Sequence, residues 1–457
     1  MRPFPDRLGV PFRAGLLLVL ACLSATACER QRPITDRLNL ILVIGDDHGF
    51  PYFGFMGDEI VRTPELDRLA DGGVVFTNVH STASSCRPAL NTLLTGLHPL
   101  QWSAELESLR RAGHEFEPNR AIEHVDTLPK MLGRAGYVSF QAGKYWEGPY
   151  RLAGFTDGMA DEVLPDKVPS PSVARLGRET LQPVYDFIDE NVDRPFFLWF
   201  APMLPHLPLD PPAEHRAPYE GKGLSDEAVR YFGNCTWFDA VTRDLLAYVA
   251  EKGIRERTLV LYVSDNGWEQ PRAVGSGSPI GGPRGKLSMF ELGFRTPMIV
   301  SWPRQVPAGE RISGRASLLD VVPTLADYAG VPPPDRLPGR SLRPVIEGGA
   351  WTPPRVSIGS MDVVRWGPSR PRQPGARVGN HERAYDVNGK RWHFVWYPQR
   401  RRSELYDLVR DPGATNDVAA DHPALVKRLR RQVRLWQTRL LQPWTEGPAP
   451  SPREPGA

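Results

Sequence analysis

The sequence predicts an α/β protein, and three observations carry that prediction. Short apolar runs at Leu40–Ile44, Val74–Phe76, Tyr137–Gln141, Phe196–Phe200, Thr258–Val263 and Met298–Ser301 have the length of strands. Stretches of helical period, among them Glu179–Val192 and Ser225–Ala250, alternate with them, which is the order of a sheet covered by helices. Two of the runs pass directly into paired oxygen donors, as buried parallel strands do where their carboxyl ends open into a site. At 457 residues and 41% apolar content, the chain is long enough for one large domain and a smaller one.

Residues 1–28 read as an export signal: Arg2, Arg7 and Arg13 precede an apolar run from Ala14 to Leu23, and Ala25-Thr26-Ala27 places small residues before Cys28. Two processing routes fit, cleavage after Ala25-x-Ala27 and lipidation of Cys28 as in a bacterial lipoprotein. Both put the protein outside the cytoplasm, in the periplasm or anchored to the membrane surface. The apolar run is short for a membrane span, and no later segment reads as one. Cys86 and Cys235 remain for the mature chain, which argues against a disulfide framework. A formal charge of +3 from 56 basic and 53 acidic residues gives no overall drive toward nucleic acid or a membrane.

Leu40-Ile-Leu-Val-Ile-Gly-Asp46-Asp47-His48-Gly49 delivers two adjacent carboxylates at a strand end, and Thr258-Leu-Val-Leu-Tyr-Val-Ser-Asp265-Asn266-Gly267 delivers a carboxylate and an amide at another. Oxygen donors without Cys or His favour one shared Ca²⁺ or Mg²⁺ over zinc. Between them, Ser81-Thr-Ala-Ser-Ser-Cys86-Arg87-Pro88-Ala89-Leu90 leads into Leu93, Leu94 and Gly96, a short capped helix with Cys86 at its start. Free N–H groups there stabilise a thiolate or a bound oxyanion. Cys235, between Phe232 and Phe238 at helical spacing, reads as a core thiol.

Taken together these residues resemble the sulfatase branch of the alkaline-phosphatase superfamily. Cys-x-Pro with a Leu-Leu-Thr-Gly ending lies between an early Asp-Asp-x-Gly and a late Asp-Asn-Gly. Thr63-Pro-Glu-Leu-Asp-Arg-Leu-Ala, Gly143-Lys144, Pro205-His206, Gly285-Lys286, Glu291-x-Gly293-x-Arg295-Thr-Pro297 and Ser403-Glu-Leu-Tyr-Asp-Leu follow in the family's order. The resemblance implies a large mixed, mainly parallel sheet flanked by helices, with a small antiparallel sheet and one packed helix behind it. It implies that Cys86 is converted to formylglycine by a formylglycine-generating enzyme, and that the hydrated aldehyde attacks sulfur to give a covalent sulfated intermediate. Asp46, Asp47, Asp265 and Asn266 would hold the cation, Ca²⁺ with Mg²⁺ as the alternative. Lys144 and Lys286 would bind sulfate oxygens, and His206 would serve the leaving oxygen. The implied substrate is an aryl or carbohydrate sulfate ester. Trp146, Trp268 and Trp302 lie near these motifs, where they could stack on a sugar or aromatic ring or belong to the core. His48, His80, His98 and His215 fall outside the implied site.

Two positions depart from the family pattern. The signature C-x-P-S-R ends here in Ala89-Leu90, and the histidine usual after the first lysine is replaced by Trp146. Arg87 is a poor substitute for the missing arginine, because a residue directly before proline is biased out of the helical region. Both departures touch the nucleophile and neither touches the cation ligands. Three readings stay open: a working sulfatase, an unconverted Cys86 thiolate acting on phosphoesters or phosphonate esters, and a binding protein without chemistry.

The organisation expected is a catalytic domain over 36–348, a C-terminal subdomain over 349–445 and a disordered tail over 446–457. Within the subdomain Gly367–Gly379 reads as a long loop, segments at Tyr385 and Trp392–Tyr397 around Asn388-Gly389 as a hairpin, and Pro423–Leu440 as a basic helix. The basic runs Arg400-Arg401-Arg402 and Lys427–Arg431 read as solvated faces, with a sulfated-polysaccharide site as the alternative.

Overall fold

The computed structural model describes residues 37–113, 120–161, 171–268, 284–354, 356–362, 383–389 and 391–442. The export signal, Cys28, the Gly367–Gly379 loop and the tail lie outside the described residues. Among those described, no helix is long and apolar enough to cross a membrane.

Nine strands form the large sheet: β1 (Asn39–Gly45), β2 (Val74–His80), β3 (Val138–Gly143), β4 (Asp157–Gly158), β5 (Phe196–Ala201), β6 (Thr258–Ser264), β7 (Arg295–Ser301), β8 (Glu310–Ile312) and β9 (Ala316–Ser317). Their order is β4-β3-β5-β1-β6-β7-β2-β8, with β9 also on β2. Pairing is parallel except on the two sides of β7. Each apolar run of the sequence falls on a strand, with Tyr137 left just outside β3 and the strands extended by one to four residues beyond the runs. β4, β8 and β9 were not foreseen, being two or three residues long, and β8 carries exposed Glu310 and Arg311 in place of an apolar pattern.

The central strand shows how the layers form. Leu40, Leu42 and Ile44 join a core with Ala89, Leu90, Leu93 and Leu94 of helix Cys86–Thr95 and with helix Val321–Tyr328. Ile41 and Val43 point the other way, into a core with Phe238, Val241 and Leu245 of helix Asp226–Glu251. Period-two alternation thus buries both faces of β1, which accounts for its unbroken apolar sequence. Cys235 is fully buried, as expected of a core thiol.

A second sheet holds β10 (Val356–Asp362), β11 (Arg383–Gly389), β12 (Trp392–Tyr397) and β13 (Arg402–Asp407), antiparallel in that order. Helix Pro423–Leu440 lays Val426, Leu429 and Val433 on Val387, Phe394 and Leu405. The expected hairpin is β11–β12, but Asn388 pairs with His393, so Asn388-Gly389 ends a strand instead of forming the turn. This sheet is tied to the loops that matter below: Ser360 N–H donates to Thr82 O (2.9 Å), and His393 Nε2 lies 2.9 Å from Met289 O.

One long-range cap has a pH signature. Helix Pro64–Asp71 has no side-chain cap of its own, and the Asp239 carboxylate accepts the N–H groups of Glu65 (3.0 Å) and Leu66 (2.8 Å). Burial, reinforced by Glu65 and Asp67 and opposed by those two hydrogen bonds, pushes Asp239 up to about 7. A carboxyl raised on folding binds more protons folded than unfolded, so its stabilising contribution is complete below the unfolded value and is lost as pH rises through about 7. Asp239→Asn, which keeps one acceptor, is therefore expected to lose less stability than wild type between about pH 4 and about pH 7 in urea titrations. Parallel stability profiles in that window would show that Asp239 does not titrate there.

Candidate active site

β3, β5, β1 and β6 are successive parallel neighbours, so their carboxyl ends share one edge of the sheet. Lys144 follows β3, His206 lies five residues beyond the end of β5, Asp46 and Asp47 follow β1, and Asp265 and Asn266 follow β6. Gly45 pairs with Ser264, which sends Asp46 and Asp265 off the sheet side by side. Asp46 N–H also donates to Leu204 O (2.9 Å), drawing the His206 loop inward.

Asp47 turns through a left-handed conformation, φ 64°, uncommon for a residue with a side chain. Its N–H donates to Asp265 Oδ1 (3.0 Å), and its carbonyl accepts the Tyr231 hydroxyl (2.8 Å), which itself accepts Gly49 N–H (2.8 Å). Tyr231 is a positioning residue that sequence reasoning missed. It sits at an ordinary apolar position of the long helix and stacks on Trp268 at 4.0 Å, with nothing local to mark it.

Cys86 is the first residue of its helix, whose far end is closed by Gly96 at φ 73°. Its Sγ lies 3.3 Å from Asp47 Oδ1 and 3.6 Å from Asp46 Oδ1. Lys144 Nζ is 2.5 Å from Asp46 Oδ1, and Lys286 Nζ is 2.7 Å from Asp47 Oδ2. The Lys286 loop is fixed by its own N–H on Trp268 O (2.8 Å) and by Leu287 N–H on Ser84 O (2.8 Å), beside the nucleophile turn. His206 stands at the mouth, Nε2 3.7 Å from Asp47 Oδ2; its Nδ1 is 2.8 Å from Leu207 O, which assigns the proton to Nδ1 and leaves Nε2 facing inward. All eight residues singled out in the sequence converge here.

The electrostatics divide the carboxylates. Burial raises Asp47, but the charges of Lys286, His206 and Lys144 outweigh it and hold Asp47 down at about 2. Asp265 goes the other way, up to about 7, through burial and the neighbouring Asp46 and Asp47, against Lys144. Burial, then Asp265 and Asp47, push the Cys86 thiol well above its ordinary value against Lys144 and Lys286. The helix start expected to favour a thiolate is present, but in the metal-free site burial, reinforced by the neighbouring carboxylates, overrides it.

A hard cation fits this donor set. Asp46 Oδ2, Asp265 Oδ2 and Asn266 Oδ1 are buried oxygens without a hydrogen-bond donor, although each residue's other polar groups are engaged. Asn266 Nδ2 donates to Asp47 Oδ1 (2.7 Å), which leaves its carbonyl oxygen as the unpaired atom. Ligand atoms of Asp46, Asp47, Cys86 and His206 also come within 4.8 Å of one another. Anionic and carbonyl oxygens suit Ca²⁺ or Mg²⁺.

The departures have physical counterparts. Leu90 is packed in the core with Leu93 and Leu94. Arg87 is engaged bidentately by buried Glu147 (2.9 and 3.1 Å), away from Cys86. Trp146 lies beside Lys144, whose Nζ is 5.8 Å from its ring centre. Of the other tryptophans near the motifs, Trp268 and Trp302 belong to the core, packed on Tyr231 and bonded to Glu256 O. His48 is buried between Tyr52 O and the Tyr262 hydroxyl, and burial lowers it to about 3; it is structural. His98 caps helix Pro99–Arg111, and His215 stacks on Trp237.

Known proteins resemble this chain. The sequence model of the family described as Sulfatase matches residues 38–331. An N-acetylgalactosamine-6-sulfatase of Canis lupus familiaris is 30% identical over 74% of this chain and 70% of its own length. Arylsulfatase A of Homo sapiens is 28% identical over 95% and 93%. Among solved structures, the phosphonate monoester hydrolase of Agrobacterium radiobacter has the same fold, with a TM-score of 0.65 at 19% identity over 89% of this chain and 96% of that one.

Proposed function

The chain belongs to the sulfatase family, and from that membership we propose that it is an exported sulfuric ester hydrolase releasing inorganic sulfate from an aryl or carbohydrate sulfate. Residues 36–348 would form the catalytic domain and 349–445 the C-terminal subdomain. The observation that carries the reading is the convergence of three unpaired buried oxygens and two buried ammonium groups around Cys86.

Asp46, Asp47, Asp265 and Asn266 would hold one Ca²⁺, with Mg²⁺ as the alternative. A bound cation supplies Lewis-acid neutralisation of the ester's anionic oxygens. Lys144 and Lys286 exchange part of their contact with Asp46 and Asp47 for sulfate oxygens, stabilising charge in a water-poor site. Cys86, if converted to formylglycine, would supply a hydrated-aldehyde oxygen as the nucleophile, its bond to sulfur forming as the bond from sulfur to the ester oxygen breaks and the alcohol departs. His206 Nε2 then serves the departing oxygen, carrying a proton to it when the ring is charged. Conversion requires a formylglycine-generating enzyme as a maturation partner, and export would begin with residues 1–28, followed by release or lipid anchoring at Cys28.

In the competing reading an unconverted Cys86 thiolate attacks a phosphoester or phosphonate ester; burial and the neighbouring carboxylates raise that thiol in the metal-free site, and a bound cation would lower it. A mass spectrum of the Cys86 peptide, from protein made in its native host, is the decisive experiment. An aldehyde or its hydrate is the expected result. An intact thiol in protein that still turns over an aryl sulfate would overturn the conversion, and an intact thiol without turnover would overturn the enzymatic reading.

A further inference from the structure

We propose that the C-terminal subdomain carries a second anion site, a groove that holds a linear sulfated polysaccharide apart from the catalytic pocket. The inference rests on the sulfatase reading only for its choice of sulfate among anionic groups.

Two basic runs separated in sequence meet in the fold. A groove of about 800 Å³ lies between the start of β13 and the first turns of helix Pro423–Leu440. Six of its lining residues are cations, Arg401, Arg402, Lys427, Arg430, Arg431 and Arg434, and none is acidic. Arg402 is paired with Glu404 at 2.6 Å. Arg430 Nε is steadied by Ser403 Oγ (2.9 Å), and the Arg434 guanidinium stands 5.3 Å from the Trp396 ring centre, so these two are oriented without being neutralised. Among the described residues, no carboxylate pairs with Arg401, Lys427, Arg430, Arg431 or Arg434.

The helix itself is unusual. Its 18 residues include six Lys or Arg and no Asp or Glu. Lys427 with Arg431, and Arg430 with Arg434, place like charges one turn apart, which destabilises a helix. Such repulsion is relieved by an anion lying along that face. From Lys427 to Arg434 the axial rise is roughly 10 Å, the scale of a disaccharide.

The occupant follows from what the helix has left to offer. Its apolar face, Val426, Leu429 and Val433, is already buried on the second sheet, and of its large apolar side chains only Leu435 is exposed, which is too little for a stripe that inserts into a lipid surface. The cations line a concave groove, which suits a chain with anionic groups repeating along it. A polymer held there would keep its sulfate esters near the enzyme between turnovers, since a second contact raises the local concentration of the first.

The test uses the whole chain and the triple variant Arg401→Ser, Lys427→Ser, Arg431→Ser, with unchanged thermal unfolding as the check on folding. Titration with chondroitin sulfate is expected to show at least about tenfold weaker binding by the variant, as loss of three exposed ion contacts implies, and weakening of wild-type binding by salt. Turnover of a small aryl sulfate should be unchanged, while KM for a sulfated polymer rises and its kcat is kept. Equal binding by wild type and variant, binding of hyaluronan as tight as that of chondroitin sulfate, or preference for phosphatidylglycerol vesicles or duplex DNA would overturn the proposal. Absence of small-ester turnover in a protein that binds the polymer through this groove would instead refute the enzymatic reading and leave the groove standing.

Discussion

Cys86→Ala is expected to lower kcat/KM toward an aryl sulfate by about 10⁴-fold or more while moving the melting temperature by only a few degrees. In the proposed reaction the side chain would supply the attacking atom, and the remaining site, two ammoniums and a cation, would bind and polarise the ester without replacing a covalent nucleophile. The structural consequence is small. The thiol donates only long contacts to Asp46 and Asp47, and Asp47 keeps its bonds to Asn266 and Lys286. Steady-state kinetics beside calorimetry checks both halves. Retention of more than a hundredth of wild-type activity would remove Cys86 from the chemistry, and a collapse of the melting transition would make it structural.

Lys144→Ala should show its effect in two currents, one of them set by the cation. Lys144 and Asp46 form an ion pair with both side chains 2% exposed. Removing one member of such a pair leaves a buried charge uncompensated and destabilises a protein by about 3–5 kcal/mol. A divalent cation on Asp46 would replace the missing positive charge. Added Ca²⁺ is therefore expected to raise the melting temperature of the variant by more than that of wild type, and chelation to separate the two most widely. Even with Ca²⁺ saturating, kcat should fall on the order of 10²–10³-fold, since a charge aimed at the sulfate is gone. A Ca²⁺ response equal in the two proteins would mean that the cation does not sit against Asp46.

Much of this was legible because the site lies at strand ends. Asp46, Asp47, Asp265 and Asn266 advertise themselves locally, as polar pairs closing apolar runs, and parallel pairing of β1 with β6 joins them. Cys86 was legible from a helix start. Lys144, His206 and Lys286 were not legible by themselves: a lone lysine resembles a surface amine, and only the order of flanking motifs singled them out. Tyr231 and Asp239 left no signal, since each acts on backbone more than 170 residues away. The groove was half legible: each basic run was visible, but their meeting depends on the packing of helix Pro423–Leu440 on the second sheet. Asn388-Gly389 misled because register with β10 and β12 decides where a turn falls, and Asn388 was needed in the ladder.

Burial of Cys86 would set a clock on its proposed conversion to formylglycine. The residue is 7% exposed in the folded chain, walled by Asp47 and approached by the Lys286 loop through Leu287 on Ser84. A modifying enzyme that must grip the surrounding segment has no access once these walls stand. The walls, however, are synthesised late: Asp47 is held by Asp265, 218 residues further along, and Lys286 follows Cys86 by 200 residues (286 − 86). At synthesis rates of roughly 5–20 residues per second, that separation keeps the Cys86 segment open for about 10–40 s after it is made. On the proposed conversion, maturation and folding would compete, and a substitution that hastens closure of the central strands would yield well-folded protein with an unmodified thiol.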